Sequence, residues 1–202
     1  MMKKLYFYME VTMPLKHQEK ALQALRRLQE GNERYLTQGE NIAALTEEKR
    51  RHLAREGQHP YAVIVTCSDS RVPPEYIFSA GLGELFVIRT AGHLIDWNVL
   101  GSVEYGITEL GAPLVVVMGH TKCGAVGAAL SGTAKGAISA IANRIAEGLH
   151  GGTDPYTCEV QHTKNSLKKL EEAEVLAPLL LAGDVMLVGA MYDMETGKVT
   201  FF

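Results

Sequence analysis

The segment YAVIVTCSDSRVPPE, residues 61–75, joins a continuous apolar run to a polar turn and a pair of prolines. The run Tyr61–Thr66 is rich in β-branched residues and lacks polar alternation, which is typical of a strand covered on both faces of a sheet. Cys67, Asp69 and Arg71 follow the run directly. The prolines then limit further extended chain and favour the start of a helix. The segment therefore predicts a buried strand whose carboxyl end carries chemically useful side chains.

Further apolar runs and helical segments alternate after this strand. Similar runs occupy Leu85–Thr90, Leu114–Gly119 and Val185–Tyr192, and helical patterns cover about 97–110, 124–130, 135–149 and 163–176. Such alternation predicts a parallel sheet with right-handed crossovers. The ending YDMETGKVTFF predicts a turn at 195–197 and a last, antiparallel strand. The predicted fold class is α/β: four parallel strands and a C-terminal antiparallel edge strand, flanked by helices.

The first 57 residues have a different, helical texture. Apolar residues at helical spacing between Ala21 and Leu28 predict an amphipathic helix, which is either one helix or two because Gly31 and Gly39 interrupt the pattern. A second helix begins after Thr46 and ends at Gly57. We expect a single domain over residues 1–202, with a helical arm at 1–57 and an α/β core at 58–202.

Composition narrows the class of protein. The chain has 202 residues, and its 20 Lys and Arg against 23 Asp and Glu give a net charge of −3, which does not indicate a nucleic-acid surface. No apolar run approaches the roughly 20 residues of a membrane helix. The N-terminus lacks a signal-peptide pattern, and three cysteines do not suit a disulfide framework. We therefore expect a cytoplasmic protein whose partners are neither nucleic acid nor membrane.

A second group of reactive residues follows the third predicted strand. His120 and Cys123 stand three residues apart in GHTKCGAVGAA, residues 119–129. Because the carboxyl ends of parallel strands share one edge of a sheet, Cys67 can meet them there. Two thiolates and an imidazole suit zinc, and three protein ligands leave one coordination position open, as in catalytic sites. The alternative is that Cys67 is a small buried apolar residue and that H-x-x-C occurs by chance.

Asp69 and Arg71 add a second element to this site. If the chain stays extended after Cys67, all three side chains share one face. Asp69 could then orient a metal-bound water, and Arg71 could hold the carboxylate in its ionised form. The alternative is a surface ion pair of little energetic value.

Taken together, the motifs resemble a known family. CSDSRVPPE (67–75) and GHTKCGAV (119–126) are similar to the two signatures of β-class carbonic anhydrases, C-x-D-x-R and H-x-x-C. Other family-like segments are LQEGNERY (28–35), GELFVIRTAG (83–92), GSVEYGITELGAPLVVVMGH (101–120) and GAMYDMETGKV (189–199). The region 131–172 matches least.

The resemblance implies a zinc enzyme that converts CO2 reversibly to bicarbonate and a proton. It implies one Zn²⁺ per chain on Cys67, His120 and Cys123, with attack by zinc-bound hydroxide assisted by a dyad of Asp69 and Arg71. In some members a broken dyad lets the aspartate take the fourth zinc position and close the site.

The resemblance also bears on assembly and substrate. It implies a homodimer, often paired into a tetramer, and Gln58 stands where many relatives have a glutamine that binds substrate across the subunit boundary. Two other functions remain open. One is hydrolysis of carbonyl sulfide or carbon disulfide on the same scaffold, and the other is a zinc-containing binding protein of low activity.

Three positions depart from common family patterns or lack a role. His93 replaces a frequent asparagine, and it is either a hydrogen-bonding loop residue or a proton relay. Ile64 stands where one regulated subgroup has a tryptophan in a bicarbonate pocket, although Arg89 matches the arginine of that pocket. Cys158 has no partner at ligand spacing, and we group His162 with the solvated or locally hydrogen-bonded histidines.

Overall fold

A five-stranded sheet forms the centre of the protein. The computed structural model describes residues 15–38 and 45–202. The strands are β1 (Ala62–Cys67), β2 (Leu85–Thr90), β3 (Leu114–His120), β4 (Met186–Tyr192) and β5 (Val199–Phe201). Their spatial order is β2-β1-β3-β4-β5, with the first four parallel and β5 antiparallel to β4. The predicted α/β architecture and its C-terminal hairpin are confirmed.

Helices flank this sheet on both faces. They are α1 (Leu15–Gln38), α2 (Glu47–Glu56), α3 (Pro74–Ile77), α4 (Trp97–Thr108), α5 (Gly124–Ser131), α6 (Ala137–Glu147), α7 (Pro155–Glu171) and α8 (Leu176–Ala182). Thr46 caps α2, because its side chain accepts a hydrogen bond from the Lys49 amide, as the sequence predicts. Across the described residues, no helix has both the length and the apolar character that crossing a bilayer requires.

The strands are apolar throughout because both faces of the sheet are covered. On one face, Ile64 of β1 and Val116 of β3 lie in a cluster with Leu28 of α1. On the other face, Val65 lies in a cluster with residues of α4, α7 and α8, among them Leu170. Successive strand residues therefore contact different helical layers, which explains why no polar alternation appears in the sequence.

Helix α1 runs without a break through Gly31. A Cβ atom at this position would lie 2.0 Å from the carbonyl oxygen of Phe78. Gly31 therefore lets the helix approach the backbone at the end of α3, and it does not end the helix. The first 14 residues and the interval 39–44, which includes Gly39, lie outside the described residues.

The helix expected at 163–176 is wrong in its bounds. The structure has two helices there, α7 beginning at Pro155 and α8 beginning at Leu176. Asp154 caps α7 by accepting the Thr157 amide hydrogen, and Pro155 fits the first turn because its missing N–H needs no partner there. The buried face of the first turns of α7 carries polar side chains. The apolar periodicity that marks a helix in sequence therefore begins several residues after the true start of α7 at Pro155.

The strand order creates a crevice at one edge of the sheet. From β1 the chain continues to β2 on one side, and β3 then pairs with β1 on the other side. The connections after β1 and β3 consequently diverge, which is where ligands bind in open α/β sheets. Cys67 is the last residue of β1 and His120 the last of β3.

Candidate metal centre

Three potential metal ligands converge at this crevice. The sulfur atoms of Cys67 and Cys123 and a ring nitrogen of His120 all lie within 4.8 Å of one another. All three residues are buried. The structure thus brings together the residues that the sequence predicts as ligands, although 56 positions separate Cys67 from Cys123.

The hydrogen bonding of the His120 ring leaves one nitrogen available to bind a metal ion. Its Nδ1 lies 2.9 Å from the carbonyl oxygen of Thr121, and since a carbonyl only accepts, Nδ1 carries the proton. Nε2 is then the unprotonated nitrogen, and it is buried with no hydrogen-bond partner among the described residues. An unsatisfied buried nitrogen is costly, and a metal ion would satisfy it.

The two sulfur atoms lie within 4.8 Å of each other, and backbone amides donate to the Cys67 sulfur. The hydrogen bond from Cys123 is the main cause that lowers the pKa of Cys67 to about 4, and the same bond raises the pKa of Cys123. The amides of Asp69 and Gly92 also donate to the Cys67 sulfur, at 3.4 and 3.3 Å. These directions favour a thiolate at Cys67 and a thiol at Cys123, and a cation beside both sulfur atoms would favour two thiolates. The donor set fits zinc.

Asp69 and Arg71 form a bidentate ion pair beside the ligands. The guanidinium donates from Nε to Oδ1 at 2.9 Å and from Nη2 to Oδ2 at 2.7 Å, and the Arg71 amide also donates to Oδ1. These bonds hold the pKa of Asp69 at about 2, with the side-chain bond from Arg71 as the largest cause. Asp69 is therefore ionised at any working pH.

The route by which this pair forms differs from the prediction. The chain does not stay extended after Cys67, because the Val72 amide bonds the Asp69 carbonyl at 3.0 Å and closes a turn. Asp69 bonds the amide two residues ahead, as aspartates in turns commonly do. The two side chains consequently meet through a turn, and the inference from strand alternation is wrong.

Arg89 supports the same loop from the neighbouring strand. Its guanidinium donates to the carbonyl oxygens of Cys67, at 2.9 Å, and Asp69, at 2.5 Å. Arg71 in turn donates to the carbonyl oxygen of Lys122 at 3.3 Å, which links the loop after β1 to the loop after β3. In this chain the Arg89 guanidinium therefore uses two of its N–H groups to hold the backbone that carries Cys67 and Asp69.

Gln58 lies away from the ligand group within a single chain. It is exposed and precedes β1, whereas Cys67 ends that strand. A strand of this length spans about 17 Å, so Gln58 lies near the amino end of β1 and Cys67 lies at its carboxyl end. The structure of one chain does not bring Gln58 together with Cys67, His120 and Cys123.

Helix α7 buries four polar residues for which the sequence predicts no role. Glu159, His162, Thr163 and Ser166 are all buried. These positions are three or four residues apart, so they form a polar stripe along one face of the helix. This stripe was the one feature of the sequence that could have indicated a buried polar face. Glu159 accepts the Cys123 amide hydrogen at 2.9 Å, and Nε2 of His162 donates to the Gly92 carbonyl. This helix thus reaches the surroundings of the ligand group directly.

His93 is a buried residue with an unusual environment. Neither ring nitrogen has a hydrogen-bond partner within the described part of the chain, whereas the His93 carbonyl oxygen accepts a hydrogen bond from the Ser166 hydroxyl at 3.5 Å. Its ring lies 4.5 Å from the ring of His162, measured between centroids. Its backbone is left-handed, with φ of 42°, a region that asparagine tolerates well.

We expect this histidine pair to make the folded state sensitive to acid. Burial lowers the pKa of both His93 and His162 below the ordinary value of about 6.5, and His162 and His120 lower that of His93 further. Below pH 6.5, His93 and His162 bind protons in the unfolded chain but stay neutral in the folded chain. Stability therefore falls as pH decreases through this range.

Thermal unfolding followed by circular dichroism at pH 7.5 and 5.5 tests this expectation. The fall in melting temperature of the metal-free protein should be smaller in His93→Asn than in the wild type. His52 is exposed on α2, and His52→Asn should leave the fall unchanged. An equal fall in all three proteins would contradict the assignment to His93.

Comparisons with known proteins agree with this geometry. Residues 62–199 match the sequence model of the carbonic anhydrase family. Carbonic anhydrase 2 of Mycobacterium tuberculosis is 39% identical over 186 residues, which cover 87% of this chain and 89% of that protein. The carbonic anhydrase of Mycolicibacterium smegmatis is 37% identical over 189 residues, with 87% and 90% covered.

A solved structure is similar as well. The β-carbonic anhydrase CafA of Aspergillus fumigatus superposes with a TM-score of 0.68 at 26% identity, covering 77% of this chain and 82% of that one. Fold and site together define an α/β protein with a candidate zinc centre at the switch point of its sheet. With the matches above, the chain belongs to the β-carbonic anhydrase family, a family of enzymes.

Proposed function

We propose that the protein catalyses the zinc-dependent, reversible hydration of CO2 to bicarbonate and a proton. The observation that carries the proposal is the buried group of Cys67, His120 and Cys123, in which Nε2 of His120 has no partner among the described residues. The ion pair of Asp69 and Arg71 beside it supports the same reaction. Relatives of 37–39% identity that are named carbonic anhydrases support the substrate.

The three ligands would hold one Zn²⁺ per chain. Their chemistry fits this ion, because two sulfur atoms and one imidazole nitrogen are typical zinc donors and three ligands leave one position open. A bound zinc ion supplies the Lewis acidity that activates water near neutral pH. Burial of the ligands keeps competing water away from the sulfur atoms.

Asp69 acts as an acceptor that orients the reacting water. Its carboxylate is ionised, and a side chain exposed by only 16% leaves it few solvent contacts. Arg71 holds both carboxylate oxygens, which keeps the carboxylate turned toward the guanidinium. Arg89 fixes the backbone carbonyls of Cys67 and Asp69, so the carboxylate keeps a constant position relative to the ligand group.

A second copy of the chain completes the site. Gln58 is exposed at the far edge of its own sheet, which is compatible with binding substrate in the partner's site. We therefore propose a homodimer, which can pair further into a tetramer. Cys67, Cys123 and Cys158 are all unpaired, and this supports a reducing, cytoplasmic location.

Stopped-flow CO2 hydration with metal-quantified protein tests the proposal. We expect about one zinc per chain and a rate at least a hundredfold above that of chelator-treated protein. Carbonyl sulfide hydrolysis is measured in parallel, and light scattering gives the mass of the assembly. Zinc without CO2 hydration would refute the proposal, and faster turnover of carbonyl sulfide would reassign the substrate.

A further inference from the structure

A buried carboxylate lies beside the loop that carries two of the ligands. Glu159 of α7 is only 4% exposed, and its Oε1 accepts the backbone amide hydrogen of Cys123 at 2.9 Å. This side chain therefore satisfies the amide of Cys123 at the end of the turn that follows His120.

This turn has a backbone conformation that needs support. Lys122 has a φ of 58°, in the left-handed region that residues with a side chain rarely adopt. The turn connects the end of β3 to the first residue of α5, so its shape decides where Cys123 stands relative to His120. A hydrogen bond that a fixed carboxylate accepts from the Cys123 amide stabilises such a turn.

Helix α7 places this carboxylate close to the end of β3. Gly119 permits the approach, because a Cβ atom there would lie 2.1 Å from Oγ1 of Thr163. The Thr163 hydroxyl donates to the backbone carbonyl of Glu159 at 2.9 Å. The position of Glu159 is thus set by tight packing of a helix against a strand that ends in a ligand.

The same turn also contacts the ion pair of Asp69 and Arg71. The Lys122 carbonyl accepts a hydrogen bond from Nη2 of Arg71 at 3.3 Å. The amide side of the turn faces Glu159, and its carbonyl side contacts Arg71. A change in the turn would therefore move a metal ligand and a support of Asp69 together.

We propose that Glu159 is a positioning residue of the metal centre. Its carboxylate holds the Cys123 amide, so that the Cys123 sulfur stands beside the Cys67 sulfur and Nε2 of His120 in a preformed ligand group. The inference rests on the proposed function in that the metal is taken to be zinc. Groups that orient metal ligands in this way commonly change metal affinity 10- to 100-fold, as an order of magnitude, when they are replaced.

Glu159→Gln is the decisive variant. Glutamine keeps the size of the side chain, but its uncharged oxygen accepts the Cys123 amide hydrogen more weakly than a carboxylate does, and its NH2 group cannot accept. We expect zinc affinity, measured by competition with a chromophoric chelator at constant pH, to fall by about 10- to 100-fold. In the cobalt-substituted protein, the thiolate-to-metal charge-transfer band should shift or lose intensity.

Glu171→Gln provides the matched control. Glu171 is exposed on the same helix, and its replacement should leave zinc affinity and the cobalt spectrum unchanged. Circular dichroism of each metal-free protein shows whether it is folded. If Glu159→Gln is unfolded, Glu159→Asp replaces it as the test, because its side chain is one methylene shorter and its carboxylate is withdrawn from the Cys123 amide.

Wild-type zinc affinity or a wild-type cobalt spectrum in the folded variant would overturn the role of Glu159. This outcome is separate from failure of the proposed function. A wild-type protein that binds zinc without hydrating CO2 would refute the activity, while the chelator competition would still report on the turn.

Discussion

Cys123→Ser is expected to reduce zinc from about one ion per chain to a small fraction, and CO2 hydration on the order of 10³-fold. A serine hydroxyl stays protonated at neutral pH and is a poor zinc ligand, whereas the cysteine supplies a thiolate. The variant would leave Cys67 and His120 as two ligands in a buried position. Cys67→Ser should behave in the same way, because each sulfur is one of three donors within 4.8 Å.

Cys158→Ser is the matched control for the cysteine substitutions. Cys158 is as buried as the two candidate ligands, but it does not belong to the ligand group. Metal analysis by plasma spectrometry and stopped-flow hydration should show wild-type zinc and activity for this variant. Full zinc occupancy in Cys123→Ser would exclude the assigned ligand set.

The sheet was predictable because its strands are buried on both faces. Runs such as Leu114–Gly119 contain no polar residue, and the observed strand differs by only one position, ending at His120. The helices were less predictable where packing overrides the local pattern. Gly31 interrupts the helical pattern and leaves one helix or two open in the sequence, but in the structure it permits close contact with Phe78 inside one continuous helix. The first turns of α7 are buried but polar, so the sequence shows no apolar periodicity there from which a helix could be predicted.

The candidate ligands were predictable because one topological rule brings them together. Cys67 and His120 end neighbouring parallel strands, so their proximity follows from the sheet alone. Glu159 was not predictable in this way. Its contact with Cys123 depends on how α7 packs against β3, and no spacing in the sequence encodes that distance. Residues that support ligands are set by tertiary packing, whereas ligands at strand ends are set by topology.

Asp69→Asn is expected to lower CO2 hydration by about 10²- to 10⁴-fold while zinc occupancy stays near one per chain. The amide has one acceptor oxygen and no charge, so it can neither bind Arg71 in a bidentate pair nor accept strongly from the reacting water. Stopped-flow rates on metal-quantified protein check this expectation. An equal loss of zinc would instead indicate a structural role for Asp69.

Glu47 and Arg51 offer a matched ion pair on the surface. They lie four residues apart on α2, and both side chains are more than half exposed. Glu47→Gln should leave hydration unchanged, since exposed ion pairs contribute little. If Asp69→Asn were as harmless as this control, the pair of Asp69 and Arg71 would be an ordinary surface pair.

Arg71→Gln separates the two members of the dyad. Without the guanidinium, the Asp69 carboxylate is free to turn toward the ligand group, so hydration should fall while zinc affinity is kept or increased. The double variant Asp69→Asn/Arg71→Gln should then lose no more activity than Asp69→Asn alone, because Arg71 acts through Asp69. Fully additive losses would mean that Arg71 contributes independently. The double-mutant cycle formed by these variants measures the coupling between Asp69 and Arg71. Its value therefore decides whether the guanidinium keeps the carboxylate away from the metal or contacts the substrate itself.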